Sequence, residues 1–268
     1  MEKRKIECHY FHKSSGSGNF GDELNPFILD RLFGCDIVWA EKGKCDFLGI
    51  GSILTILLKK YEDQKSSPVV VWGSGFIKDV KKDDRLYRDV DVYAVRGKKT
   101  LADLKRLTKK DYKDIVFGDP GLLISDCYEG LTVDKKYKYG IIPHYVDQSD
   151  ENLKKIQLRD SIVINILDPI DKVVNDICSC ECILSSAMHG LIAADAFGIP
   201  NIRFIASYKL MGGEYKFDDY YSAFDMKQPE FIDLRKIDVL KDVDFEYKVD
   251  YNKVKEIKSN LRRVFPYA

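Results

Sequence analysis

The chain lacks any apolar run near the roughly 20 residues that a membrane-spanning helix needs. Its opening, Met1-Glu2-Lys3-Arg4-Lys5, leads into a strand-like stretch at 6–11 without the apolar core of a secretory signal. The expectation is a cytoplasmic protein. An excess of either charge is also missing: 43 Lys and Arg balance 43 Asp and Glu, so no global field selects nucleic acid or an anionic surface. Seven cysteines, an odd number with no export signal, argue against a disulfide framework. Cys178, Cys180 and Cys182 alternate, but no second cluster completes a metal-ligand pattern. They read as helix-end and strand residues, and no metal is expected. No solenoid repeat and no low-complexity segment is present.

What is present is alternation. Strand candidates at 5–11, 37–40, 46–52, 69–72, 90–95 and 115–117 are interleaved with helical stretches at 26–32, 53–61 and 100–107. An apolar 122–124 follows the turn Gly118-Asp119-Pro120-Gly121. Several strands end in glycine or polar residues, as in Gly73-Ser74-Gly75 and Arg96-Gly97. That is the pattern of a parallel, doubly wound sheet, whose ligands sit beyond the carboxyl ends of the strands. Residues 127–138 are polar and mark a boundary, giving units 1–130 and 131–268. The second unit repeats the pattern, with strands at 139–143, 161–166, 182–185 and 202–205 and helices at 151–157, 170–178 and 189–197. A tyrosine-rich region at 208–224 and a basic amphipathic helix at 252–264 follow. Two α/β halves imply a cleft between them, lined by the glycine-rich strand ends of both.

The most informative stretch runs from Cys182 to Asn201. Ile183 and Leu184 end an apolar strand, Ser185 and Ser186 are placed to cap a helix, and Gly198 then Pro200 stop it. His189 falls in the first turn, where unpaired N–H groups and the helix dipole favour an anion. Ser185-Ser186-x-x-His189-Gly190 therefore reads as a phosphate or carboxylate cradle. On spacing alone, ordinary caps and a hydrogen-bonding histidine remain the alternative.

Other motifs are read two ways. Gly16-x-Gly18-x-x-Gly21 matches the dinucleotide fingerprint, and Asp36 lies in range of a ribose. Asp22 and Glu23, however, would repel a pyrophosphate there. The other reading is a turn from Asn19 to Asn25 into a helix capped by Asn25 with Pro26 in its first turn. Asp22 or Glu23 is then available to a sugar hydroxyl or as a base. Arg96 at a strand end is placed to clamp a carboxylate or phosphate, or to cap a turn. Asp119 reads as a turn residue. Lys209 and Lys216 lie in a loop over the cleft, or are merely solvated.

Taken together, Asn19-x-Gly21-Asp22-Glu23-Leu24-Asn25, Val95-Arg96-Gly97, Gly118-Asp119-Pro120-Gly121-Leu122, Ser185-Ser186-x-x-His189-Gly190-Leu191-Ile192-x-Ala194-Asp195-Ala196-x-Gly198-Ile199-Pro200 and Lys216-Phe217-x-Asp219-Tyr220 resemble the polysaccharide pyruvyltransferases, in their order, over about residues 15–225. The resemblance implies a GT-B-like fold: α/β, two Rossmann-like domains with parallel sheets facing a central cleft. The acceptor would lie on the 1–130 side and the donor on the 131–268 side. It implies transfer of a pyruvyl group from phosphoenolpyruvate to a galactose-type sugar of a cell-surface polysaccharide precursor, as a cyclic ketal, with no cofactor. Candidate catalytic residues are His189, Asp22 and Glu23. Candidate substrate-binding residues are Arg96, Ser185, Ser186, Gly190, Lys209 and Asn19. Some members have an arginine two residues before the histidine. Here it is Ala187, and Arg203 or Lys209 is the expected substitute.

The acceptor could be lipid-linked, with the basic helix (Lys253, Lys255, Lys258, Arg262, Arg263) touching the inner face of a membrane or simply solvated. Rival readings are a nucleotide-sugar glycosyltransferase on the same fold, a dinucleotide-dependent oxidoreductase, and a non-catalytic sugar- or anion-binding protein.

Overall fold

A computed structural model describes residues 3–12 and 19–267. Gly16 and Gly18 of the dinucleotide-like motif lie outside the described residues. The first half runs β1 (Lys5–Cys8), α1 (Phe20–Phe33), β2 (Asp36–Trp39), β3 (Phe47–Leu48), β4 (Val69–Trp72), β5 (Val90–Val95), α2 (Lys98–Thr108) and β6 (Val116–Phe117). The second runs β7 (Tyr137–Ile142), β8 (Ser161–Val163), α3 (Ile170–Cys178), β9 (Cys180–Ser185), α4 (Met188–Ala196), β10 (Asn201–Ile205), α5 (Tyr215–Ser222), β11 (Ile232–Asp233) and α6 (Tyr251–Arg263). They form a 6-stranded sheet, order β2-β1-β3-β4-β5-β6, and a 5-stranded sheet, order β11-β10-β9-β7-β8. Every pairing between these strands is parallel. The expected pair of parallel sheets in an α/β chain is thus what forms. Continuous apolar strands such as Val69-Val70-Val71-Trp72 require it, because they are covered on both faces.

One core joins the halves. Leu24 and Ile28 of α1, Leu122–Ile124, Ile177 of α3, Leu191 and Ile192 of α4, and Ile257 and Leu261 of α6 are buried together between the sheets. The outer faces have separate cores, around Leu54, Val71 and Leu104 on the first sheet and around Leu158, Leu184 and Phe204 on the second. The chain ends by returning to the first sheet. Trp72 Nε1 donates to the Leu261 carbonyl at 3.0 Å, and the Phe265 ring stands edge-on to Trp72 at 4.9 Å. A division by chain order at 130/131 therefore does not follow the packing of α6. The basic residues of this helix have partners within the chain: Lys258 and Arg262 pair with Asp126, Lys253 with Glu256, Arg263 bonds Asn260, and Lys255 lies over Tyr251. Among the described residues no helix is long and apolar enough to cross a membrane.

Several local expectations need correction. The stretch 53–61 is a 3-10 turn at Leu54–Leu58, and 151–157 shortens to the 3-10 turn Glu151–Lys155; the apolar 122–124, given no element from the sequence, lies in the 3-10 helix Pro120–Tyr128. The tyrosine-rich region contains α5. Helix α1 starts at Phe20, capped by Asn19, whose Oδ1 accepts from Gly21 N at 3.0 Å, so Pro26 falls in its interior. Proline has no N–H for the Asp22 carbonyl. Asn25 supplies the replacement, donating Nδ2 to Asp22 O at 3.1 Å while its amide also pairs with Ile50 N and O. That one buried asparagine repairs the helix and ties it to the loop after β3.

Candidate active site

A cleft of about 300 Å³ opens beyond the carboxyl ends of strands from both sheets. Helix α1 contributes Asp22 and its cap Asn19, the loop after β3 contributes Ser52, and the loop after β7 contributes His144. Ala187 and His189 come from the start of α4, and Lys216 from α5. The sequence thus placed His189, Asp22, Asn19 and Lys209 around one hollow, and the structure brings them together there.

The serines do something other than expected. Ser185 Oγ accepts from Ala187 N at 3.0 Å and has two carbonyls within donating reach, Ala187 O at 2.8 Å and Ile142 O at 3.1 Å. Ser186 Oγ accepts from His144 N at 2.8 Å and bonds Asp147 Oδ2 at 3.2 Å. Both are buried and hold the strand-to-helix turn against β7. The cap position of α4 is Ala187, with no side-chain cap bond; Gly190 N donates to the Ala187 carbonyl at 3.1 Å, which leaves the N–H groups of Met188 and His189 for an anion in the cleft. Gly190 is a packing residue: a Cβ there would stand 2.5 Å from Ser185 Oγ.

His189 is wedged between α1 and the turn before Pro120. Its Nε2 lies 3.8 Å from Asp119 Oδ2, and neither atom has a hydrogen-bond partner among the described residues. The turn reading of Asp119 accounts for only one oxygen, Oδ1, which accepts from Gly121 N at 2.9 Å. Burial raises Asp119 to about 6. Burial, with help from Arg96, Lys216 and His144, lowers His189 to about 3, which favours the neutral imidazole. His144 is likewise pushed down to about 4, by burial and Lys216. Gly21 is what lets the ring sit there, since a Cβ would fall 2.0 Å from His189 Nδ1. Gly21→Ala is therefore expected to leave a folded protein, because alanine suits a helix. It should cost about 100-fold in turnover by swinging the imidazole out of place. Unchanged activity in a folded Gly21→Ala protein would remove His189 from the chemistry.

Arg96 needs a different role from the one expected. Its side chain is fully buried, not open to the cleft. Nε donates to Asp219 Oδ2 at 3.0 Å, and the two terminal nitrogens donate to Ser52 Oγ at 2.5 Å and the Phe76 carbonyl at 2.6 Å. Thr100 adds bonds of 2.8 and 2.7 Å to the same carboxylate. This network pins α5 to the first half. Gly97 permits the close approach, because a Cβ would meet the Asp219 carbonyl oxygen at 1.7 Å.

By docking α5 there, Arg96 places Lys216. That lysine is 7% exposed, lines the cleft, and has no hydrogen bond or ion pair among the described residues. Burial, then Arg96 and Arg203, lower it to about 7, against the pull of Asp147 and Asp22. Across the cleft, burial raises Asp22 to about 8, although Asn19 Nδ2 donates to it at 2.5 Å. A cation short of a partner and a carboxyl held protonated therefore share one hollow.

The expected substitutes for the missing arginine are both engaged elsewhere. Arg203 binds Glu214 through both terminal nitrogens and lies 3.7 Å over the Phe217 ring. Lys209 reaches the cleft mouth but is exposed and pairs with Asp150 at 3.3 Å. Glu23 lines a different hollow, with Phe27, Asp30 and Arg31. The cation that composition and spacing left as one lysine among many is Lys216. Its signal was the block Lys216-Phe217-x-Asp219-Tyr220, where Asp219 is the anchor and Lys216 the residue anchored.

Fold and site together define a two-sheet α/β protein with an anion-receptive helix start and several buried titratable side chains in its cleft. The chain belongs to the polysaccharide pyruvyl transferase family, whose profile matches residues 5–208. An uncharacterized protein of Acanthamoeba polyphaga mimivirus is 30% identical over 244 residues, covering 85% of this chain and 78% of the other. The succinoglycan biosynthesis protein ExoV of Rhizobium meliloti is 28% identical over 214 residues, covering 78% of this chain and 63%, less than two thirds, of ExoV. Among solved structures, an uncharacterized Klebsiella pneumoniae protein superposes with a TM-score of 0.49 at 15% identity, covering 86% of this chain and 92% of that one. The wall teichoic acid polymerase TagF gives 0.38 at 11% identity, covering 97% and 80%.

Proposed function

We propose that this pyruvyltransferase uses phosphoenolpyruvate, without a cofactor, to form a cyclic ketal across two hydroxyls of a galactose-type unit in a polysaccharide precursor. The observation that carries the reading is Lys216, a buried lysine with no hydrogen bond or ion pair among the described residues, which lines one cleft with the uncapped start of α4 and with Asp22, whose carboxyl burial raises to about 8. A donor with both phosphate and carboxylate supplies the charge that such a pocket wants.

The roles follow from protonation states. Asp22, neutral at pH 7, gives its proton to the methylene carbon of the donor, leaving a cationic C2. His189, beside Asp119 and raised towards proton uptake by the negative charge of the bound donor, takes the proton of the first sugar hydroxyl as its oxygen bonds to C2. The C2–O bond to phosphate then breaks, Lys216 and the helix start hold the departing charge, and His189 returns its proton to the phosphate. The second hydroxyl bonds to C2 and its proton restores Asp22. Asp22 is then the acid, where the sequence alone offered Asp22 or Glu23 as a base.

Incubation with phosphoenolpyruvate and galactose-containing acceptors, read by mass spectrometry, tests the reaction; no ketal on any such acceptor would refute it. Donor binding tests the electrostatics. An incoming anion raises both Lys216, from about 7, and Asp22, from about 8, so at pH 8 binding must take up protons. Calorimetry in buffers of different ionisation enthalpy should register that uptake, and release or no exchange would contradict it.

A further inference from the structure

His144 lines the cleft, and no step of the reaction uses it. It follows β7 and is held on three sides. Ser186 Oγ accepts from its backbone N at 2.8 Å. Its Nδ1 accepts from Val146 N, at a long 3.4 Å, so the side chain caps the turn Tyr145–Asp147. Its ring packs on Tyr145, with centroids 4.5 Å apart and the planes 33° from parallel. The direction of the ring is therefore fixed.

These contacts also fix the tautomer. A backbone N–H only donates, so Nδ1 presents its lone pair and the proton of the neutral imidazole sits on Nε2. A second proton would have to sit on Nδ1, against the Val146 N–H. Burial and the charge of Lys216 oppose it as well, lowering the group to about 4. His144 is thus a neutral hydrogen-bond donor and not a base. Its Nε2 has no partner among the described residues. The enclosed side-chain atoms that lack one are His9 Nε2, Asp46 Oδ1, Asp119 Oδ2, His189 Nε2 and Arg203 Nε. Nε2 of His144 is not among them, so it keeps accessible surface, and the hollow that His144 lines is the cleft.

We propose that His144 is a further substrate-binding residue, giving its Nε2–H to an oxyanion of phosphoenolpyruvate in the cleft that it shares with Lys216. The inference rests on the phosphoenolpyruvate reading of that cleft. What points to an oxyanion is that three side chains there offer hydrogens: the imidazole of His144, the ammonium of Lys216 and the protonated carboxyl of Asp22. A group lying between them must bring acceptors, and a phosphate or a carboxylate brings several with no hydrogens of its own. Ser186 then acts on the substrate indirectly, because it anchors the backbone from which the His144 ring projects.

Calorimetry with phosphoenolpyruvate, inorganic phosphate and pyruvate, on the whole protein and two variants, tests this. His144→Asn keeps an acceptor near the place of Nδ1, and asparagine is a favoured cap, but its amide falls short of the place of Nε2. His144→Gln reaches that place with an N–H and loses the short cap. His144→Asn is expected to bind phosphoenolpyruvate about 10- to 100-fold more weakly, the scale of one hydrogen bond to a charged group, and His144→Gln to recover most of the loss. A merely structural histidine predicts the opposite order, with asparagine tolerated and glutamine not. Equal affinities in all three proteins, or an asparagine variant that binds at least as tightly as the glutamine variant, overturn the assignment. The loss should recur with phosphate alone or with pyruvate alone, which identifies the end of the substrate that His144 holds; its absence from both also overturns it. Ketal formation with no affinity loss in His144→Asn leaves the reaction standing and removes His144 from it. An affinity loss with no ketal formed on any acceptor upholds the oxyanion contact while the transfer reading fails.

Discussion

Replacing Lys216 by methionine is expected to lower turnover about 100- to 1000-fold, the cost of removing one preorganised donor to a developing oxyanion. The same change should leave stability unharmed. Lys216 is buried without a hydrogen-bonded counter-ion, and its folded-state pKa is lowered to about 7 from 10.5. A lysine depressed on folding weakens the protein as pH falls from 10.5 towards 7, and the full penalty persists below 7. Methionine fills similar space without that penalty. The Lys216→Met protein should therefore melt at the same temperature or higher, with the gain largest below pH 7. It should also lose much of the proton uptake on donor binding. A fall in melting temperature with turnover intact would make Lys216 a structural residue.

Arg96→Ala is expected to have the opposite signature. Asp219 would be left buried with only Thr100 as partner, and breaking such a pair costs about 3–5 kcal/mol. For a chain of this size that corresponds to roughly 10 °C in melting temperature. Activity should fall as well, because α5 carries Lys216 and is docked through this pair. Arg96→Lys should not rescue it, since an ammonium cannot reach Asp219, Ser52 and the Phe76 carbonyl together as the guanidinium fork does. An Arg96→Ala protein with wild-type melting and a raised donor KM alone would restore the direct-clamp role that the strand-end position first suggested.

These two residues show how far the residue pattern reaches. Arg96 and Lys216 both stood in recognisable blocks, yet the apparent clamp is a buried anchor and the apparent surface lysine faces the cleft. The distinction depends on Asp219, which is 123 residues from Arg96 in sequence and meets it only when α5 crosses to the first half. Similarly, Ser185 and Ser186 have the composition of a helix cap. Tertiary partners on β7 and the loop after it take up their hydroxyls and leave the helix start open.

The sequence by itself determined the alternation of strands and helices, the two parallel sheets and the place of His189 at a helix start, because these follow from local periodicity, glycine placement and chain stiffness. It also carried the family, since the order of its motif blocks survives without any knowledge of contacts. Only the tertiary structure decided which charges are neutral, which cation is unpaired and which oxygen of Asp119 faces His189. Those properties come from burial and from partners distant in the chain, and neither is written in the spacing of neighbouring residues.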